Sequence, residues 1–324
     1  MSVRIGIVGA GFGSRVVAEV FAATEGCEVV DVVSARDPAV VGALCARPDV
    51  DLISIHSPPF LHRLYVEQAI DAGHAVLCDK PFGRNLADAE GMLAAAQAAG
   101  VVGLVNFEFR CHPARIQLQA LVESGVVGAV EHVHWAAFSS GSRLPLRPYG
   151  WLFDRELGGG WIGAWGSHAV DFIRWAVGEV TDASAALHTT ITVRPDAEGN
   201  EHRCTAEDGF TAVLELDGGI SVAIDTSFAS PVNLAPRIVI SGSDGLLECV
   251  GDRTISLRLS DGFRKEIDPP PTPTGGDPHL VPMRVWATEV RDSVRNGAPV
   301  PGAPTFVDGV ECARVLDRLR THAL

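Results

Sequence analysis

The 324-residue sequence lacks any C-x-x-C spacing. Its seven cysteines are scattered, an odd and dispersed set that reads as reduced thiols, not a disulfide framework or a zinc site. No apolar run reaches the roughly 18–20 residues that a helical membrane span needs. No charged n-region and apolar h-region precede the first strand, so no signal peptide is expected and the chain reads as cytoplasmic. Basic charge is in deficit: 26 Lys and Arg face 40 Asp and Glu, a net charge of −14. A phosphate backbone or an anionic membrane would find no basic field to hold it, so neither nucleic acid nor membrane is an expected partner. The 11 histidines show no H-E-x-x-H or similar spacing, and no metal is expected. Internal repeats and low-complexity tails are also absent.

An ordinary globular composition remains, 47% apolar and 20% charged, in a chain long enough for two domains. VRIGIV is a buried strand, GAGFGS a glycine loop, and RVVAEVFAAT a helix by its spacing. A strand, a glycine turn and a helix in that order form the context in which G-x-G binds a dinucleotide. Gly9 permits the tight turn, and Gly11 lets backbone approach a pyrophosphate. Phe12 and Gly13 complete the loop, and the helix N–H groups face the anion. The third glycine of G-x-G-x-x-G is absent: position 14 is Ser, and Gly13 stands one place early. The second strand, CEVVDVV, ends at Ser34-Ala35-Arg36-Asp37-Pro38. An acid at this strand end holds the ribose diol of NAD; Ser34 and Arg36 suit a 2′-phosphate better, which favours NADP slightly over NAD. Asp37 and Pro38 fit an N-cap and first helical position.

The crossover from Asp37 to Asp51 holds one modest helix and no strand, so the outer strand of the sheet is expected to be missing. Next come DLISIH closed by Ser57-Pro58-Pro59-Phe60-Leu61-His62, then HAVLCDKPF with Asp79 and Lys80 at its end, then VVGLVNFEF. Helices alternate with these strands, which makes a parallel doubly wound sheet. Lys80 lies at the carboxyl end of a parallel strand, the side where such sheets bind ligands. After about residue 126 the pattern turns strand-rich, with period-two alternation and D-G or G-G turns. The expected fold class is α/β: an N-terminal Rossmann domain over residues 1–122, then an α/β domain over 123–324 with a large, open, mostly antiparallel sheet. ASAALHTTITVRP reads as one strand of it, and two helices close the chain.

GAGFGS, SPPFLH, CDKPF, VNFEFR and GGGWIGAWGSHAVD, in that order, resemble the glucose–fructose oxidoreductase, inositol dehydrogenase and rhizopine-catabolism family (Gfo/Idh/MocA) over nearly the whole chain. The resemblance implies the two-domain fold, with the second sheet mediating a homodimer or homotetramer. It implies that His62 lines the nicotinamide side, with a structural role as the alternative, and that Asn106 and Arg110 line the cleft. It implies an Asp-x-x-x-His pair in which the histidine moves the substrate hydroxyl proton and the Asp supports it, with the lysine of a Glu-Lys-Pro motif nearby. His168 and Lys80 match, and Asp79 stands for the Glu. The supporting acid is gone, because position 164 is Ala. Asp171, Glu108 and Asp154 are its candidate replacements.

Hydride transfer at a carbinol carbon needs a partner for the hydroxyl proton, and an oriented histidine serves near neutral pH. His168 in that role with Lys80 polarising the oxygen, or Lys80 as the proton carrier with His168 only hydrogen-bonding substrate, are both open. His168 reads as the start of a helix. Arg143, Arg147, Tyr149, Trp151, Trp161 and Trp165 precede it; aromatic faces stack on sugar rings and arginine binds anions, although such tryptophans are more often core. The expected activity is an NAD(P)-dependent oxidoreductase on a sugar, polyol, cyclitol or related compound. A redox-neutral enzyme with tightly bound dinucleotide and a non-catalytic dinucleotide-binding sensor are the alternatives.

Overall fold

The computed structural model describes residues 2–273, 276–322 and 324. Strands β1 (Val3–Val8), β2 (Cys27–Val33), β3 (Leu52–Ile55), β4 (Ala75–Cys78) and β5 (Gly103–Val105) pair in parallel in the order β2-β1-β3-β4-β5. Helices α1 (Ala18–Ala23), α2 (Pro38–Cys45), α3 (Pro59–Asp71) and α4 (Leu86–Ala99) connect them. β3 is buried along its whole length and β4 from Val76 to Cys78, as parallel strands covered on both faces must be. β2 is the outer strand, because the segment between it and β3 holds only α2. That is the missing edge strand expected from the short crossover. Asp37 caps α2 by accepting from the N–H groups of Ala39 and Val40, and Pro38 occupies its first turn.

The chain then forms α5 (Pro113–Glu123), β6 (Val130–Phe138), α6 (Ser167–Ala176), β7 (Val180–His188), β8 (Val193–Pro195), β9 (Glu201–Arg203), β10 (Gly209–Leu216), β11 (Ser221–Ser227), β12 (Leu234–Gly242), β13 (Gly245–Val250), β14 (Thr254–Leu259) and β15 (Arg264–Ile267). Eight of these strands form one sheet in the order β15-β14-β13-β12-β6-β11-β10-β7. Only β6 and β11 run parallel in it. Along β10, Phe210, Ala212, Leu214 and Leu216 are buried while Val213 and Glu215 are exposed, the period-two signature of a sheet covered on one face. The expected single strand over ASAALHTTITVRP is broken. β7 ends at His188, the Asp208 carboxylate accepts from Thr190 N (2.7 Å) and Ile191 N (2.9 Å), and β8 pairs with β9 in a separate ribbon. A side-chain carboxylate has replaced the ladder at that point.

The chain divides into two compact units, Met1–Cys111 with Thr274–Arg314, and His112–Pro273 with Val315–Leu324. The cut therefore falls at Cys111/His112 and not after residue 122, and the chain returns to the first unit through α7 (Leu280–Asn296) and the start of α8 (Phe306–Thr321). The reason is packing. Met283, Trp286, Ala287 and Val290 form one stripe of α7 and are fully buried with Ile5, Ile7 and Phe21. Each such large apolar side chain contributes about 1.5–3 kcal/mol on burial. Thr305 also forms an antiparallel bridge with Leu104 at the β5 edge.

Candidate active site

Four backbone hydrogen bonds align the carboxyl ends of the parallel strands: Gly9 N to Val33 O, His56 N to Val8 O, Asp79 N to Ile55 O and Asn106 N to Cys78 O, at 2.7–2.9 Å. The residues just past each strand share one edge of the sheet, where doubly wound sheets bind ligands.

The glycine loop fits a dinucleotide on its own geometry. Gly9 has φ +142°, and a Cβ there would stand 2.6 Å from His56 O. A Cβ on Gly13 would stand 3.2 Å from His56 Cβ and from Ile7 Cγ2, so this glycine lets the helix pack closely on β1 and the end of β3. Gly13 thereby performs the close-packing role of the third glycine despite standing one place early. The helix opens with a π turn over Gly13–Val17. A Cβ on Gly11 would meet no described atom within 4 Å, so the loop backbone there is open to a ligand.

His56 is the centre of the polar network, and its place directly after β3 puts it under the loop. Its Nδ1 lies 3.1 Å from Asp79 Oδ2, and its Nε2 lies 2.8 Å from Ser54 Oγ. Asp79 Oδ1 accepts from Lys80 N at 2.9 Å and from Asn106 Nδ2 at 3.3 Å. Burial works to raise the Asp79 pKa, but the His56 hydrogen bond and the charges of His56, Lys80 and His62 outweigh it, so the carboxyl is held well below the ordinary range. Asn106 is fully buried, and its Oδ1 has no partner among the described residues. An acceptor in that state fits a ligand donor such as a hydroxyl or carboxamide.

His62 is fully buried, with Nε2 2.7 Å from Ser57 O and Nδ1 3.1 Å from Pro81 O. It joins the loop carrying Ser57 and Pro58 to the loop carrying Lys80, and burial holds its pKa below the usual value. Its structural alternative is thus the one its contacts support. At the open edge of β2, Ser34 Oγ accepts from Arg36 N at 3.2 Å, and Tyr65 OH donates to Ala35 O at 2.6 Å. This turn is fixed, while the Arg36 side chain is exposed. The Arg110 guanidinium meets Asp308 at 2.8 Å. That ion pair holds the guanidinium in a buried position.

In the second unit, His168 does not open a helix. The helical segment starts at Trp161 with a π turn over Ile162–Gly166 and continues into α6, so His168 stands inside it and is 5% exposed. π turns recur at functional sites. The wide turn also shifts position 164 off the face that an unbroken α-helix would give it relative to 168. Ala164 packs instead against an apolar cluster of Leu152, Phe153 and Cys204 with Tyr149, Trp151 and Phe228. Trp161 stacks on Phe228 (4.2 Å, 2°) and donates to Thr226 Oγ1, and Trp165 meets Trp135 edge-on at 5.4 Å. Arg143 donates to Ala229 O at 3.2 Å. Tyr149 donates to Asp154 at 3.0 Å, which occupies one of the candidate replacement acids.

Residues 39–107 match the oxidoreductase family with an NAD-binding Rossmann fold, and residues 116–248 match the GFO/IDH/MocA C-terminal domain. The chain belongs to the GFO/IDH/MocA family. An uncharacterized oxidoreductase of Synechocystis sp. is 33% identical over 209 residues, 63% of this chain and 56% of that protein. D-apiose dehydrogenase of Paraburkholderia graminis is 31% identical over 243 residues, 73% of this chain and 60% of that protein. The match thus spans less than two thirds of these two GFO/IDH/MocA relatives. The solved structure of levoglucosan dehydrogenase in complex with NADH superposes with a TM-score of 0.89 over 99% of this chain and 96% of that one, at 20% identity, which shows the shared fold. Among the described residues, no helix is long and apolar enough to cross a membrane.

Two residues of the site had escaped the reading of this GFO/IDH/MocA sequence. His56 carried one signal, a histidine at the carboxyl end of an otherwise apolar strand. His279 carried none: it lies in a proline-rich loop, and its partner Glu108 is 171 residues away, with Nδ1 2.5 Å from Oε1.

Proposed function

We propose that this protein is an NAD(P)-dependent oxidoreductase that transfers a hydride to or from a sugar, polyol, cyclitol or related hydroxy or keto compound, with Lys80 and His168 handling the hydroxyl proton. One observation carries the reading: Asp79 ties Lys80 to His56, the residue on which the glycine loop is built. The ligand loop and the candidate proton carrier are thereby one hydrogen-bonded unit.

When bound, a nicotinamide dinucleotide supplies or accepts the hydride. Gly9, Gly11, Phe12 and Gly13 cradle its pyrophosphate, and Ser34 and Arg36 meet its adenosine end, with NADP slightly favoured over NAD. Ser57, Pro58 and Asn106 line the nicotinamide side. The Lys80 ammonium polarises the substrate oxygen, and His168 exchanges its proton; such acid–base work accounts for about 10²–10⁴-fold in rate. Only two of the 26 basic residues are lysines. In a chain that uses arginine nearly everywhere, a lysine at this strand end supports a role for a compact ammonium on a flexible stem. Trp151 and Trp165 are the candidate sugar-stacking faces. The protein works in the cytoplasm as a homodimer or homotetramer assembled through the open face of the eight-stranded sheet.

Reduced-nicotinamide fluorescence on titration with NADPH and NADH, followed by turnover on a sugar and polyol panel, tests this reading. Binding without turnover of any such compound contradicts the activity, and no binding contradicts the cofactor.

A further inference from the structure

The resemblance calls for an imidazole supported by a carboxylate, yet the π turn before α6 has Ala164 packed among apolar side chains where the acid is expected. A carboxylate–imidazole pair is present in the dinucleotide-binding unit instead. Glu108 lies in the 3₁₀ turn just past β5, two residues after Asn106, at the same carboxyl edge as Lys80. Its carboxylate is fully buried, and Oε1 lies 2.5 Å from His279 Nδ1, whose side chain is 25% exposed. The imidazole is held between two rings: Phe12 of the glycine loop edge-on at 5.0 Å, and Phe109 at 5.1 Å. A carboxylate oxygen at this distance accepts from Nδ1–H, which leaves Nε2 as the exchanging atom.

We propose that Glu108 and His279 form the proton-exit pair of this site, passing to and from solvent the hydroxyl proton that the acid–base group of the reading above exchanges with the reacting compound. The inference rests on the oxidoreductase reading above. In the oxidative direction the substrate O–H bond breaks, its proton passes through that acid–base group to form an N–H bond at His279 Nε2, and the carbinol C–H electron pair leaves with the hydride for the nicotinamide ring, so that C=O forms. The reverse direction returns the proton from Nε2. The Glu108 carboxylate holds the Nδ1 side of the ring and orients it throughout the exchange. The partial exposure of His279 gives the proton its exit, and the burial of Glu108 keeps the supporting charge strong.

Two measurements test the pair. In the ligand-free protein, proton NMR should show a far-downfield imidazole N–H signal that disappears in both Glu108→Gln and His279→Gln. In turnover, His279→Ala should lose roughly 10²-fold in kcat, regain much of it with added imidazole, and bind NADH or NADPH within about twofold of wild type. Absence of the downfield signal in the wild type overturns the pair. So does His279→Ala turning over within about twofold of wild type, and either result leaves the oxidoreductase reading standing. A wild-type protein that binds no dinucleotide overturns that reading and the pair with it.

Discussion

His56 Nδ1 lies 3.1 Å from Asp79 Oδ2, and the same carboxylate holds the Lys80 backbone N–H through its other oxygen. One imidazole thus supports the glycine loop from below and the lysine loop from the side. His56→Ala leaves a largely buried carboxylate without its main partner, at a cost of about 1–3 kcal/mol. A lower urea midpoint at unchanged m-value, together with reduced turnover, is the expected result; wild-type stability would make the contact incidental.

Asp79 also sets a pH dependence. Its pKa is lowered in the folded protein, because the His56 bond and nearby positive charges outweigh burial. A depressed carboxylate contributes stability that is fully present above its unfolded value of about 4 and is lost as pH falls through the folded value. Melting temperature measured from neutral to strongly acid pH should therefore fall more steeply below about pH 4 for wild type than for Asp79→Asn. Parallel curves would remove Asp79 as the titrating group.

Gly9 and Gly11 should separate fold from ligand. Gly9→Ala places a Cβ 2.6 Å from His56 O at φ +142° and should destabilise by about 2 kcal/mol or more. Gly11→Ala meets no described atom within 4 Å, so its melting temperature should match wild type while dinucleotide affinity drops. Unchanged affinity in Gly11→Ala would place the pyrophosphate away from this loop.

Restoring the acid that the family resemblance implies should not restore a catalytic pair. Ala164→Asp sets a carboxylate at a half-buried position beside Leu152, Phe153 and Phe228, which destabilises the fold when no partner is gained. Lower stability with no gain in turnover is expected. A rise in kcat would show that position 164 still addresses the imidazole.

The glycine loop, the missing outer strand and the positions of Lys80 and Asn106 were legible in the sequence because each depends on neighbours within one strand–turn–helix unit. The unit boundary was not. The stripe of Met283, Trp286, Ala287 and Val290 states that α7 is buried on one side, but not that its partners Ile5 and Phe21 lie near the other end of the chain. The Arg110–Asp308 ion pair was hidden for the same reason, since the two residues are 198 positions apart. His168 was misplaced at a helix start because a run of glycines reads as a loop, whereas here it leads directly into a π turn.

The most direct test follows hydride transfer and its lysine together. Wild type and Lys80→Met are titrated with NADPH and NADH, then mixed with the sugar and polyol panel while reduced nicotinamide is followed by absorbance. The account predicts similar dinucleotide affinity for both proteins, with turnover confined to the wild type or reduced about 10²-fold or more in the variant. Equal turnover by the two proteins would contradict it.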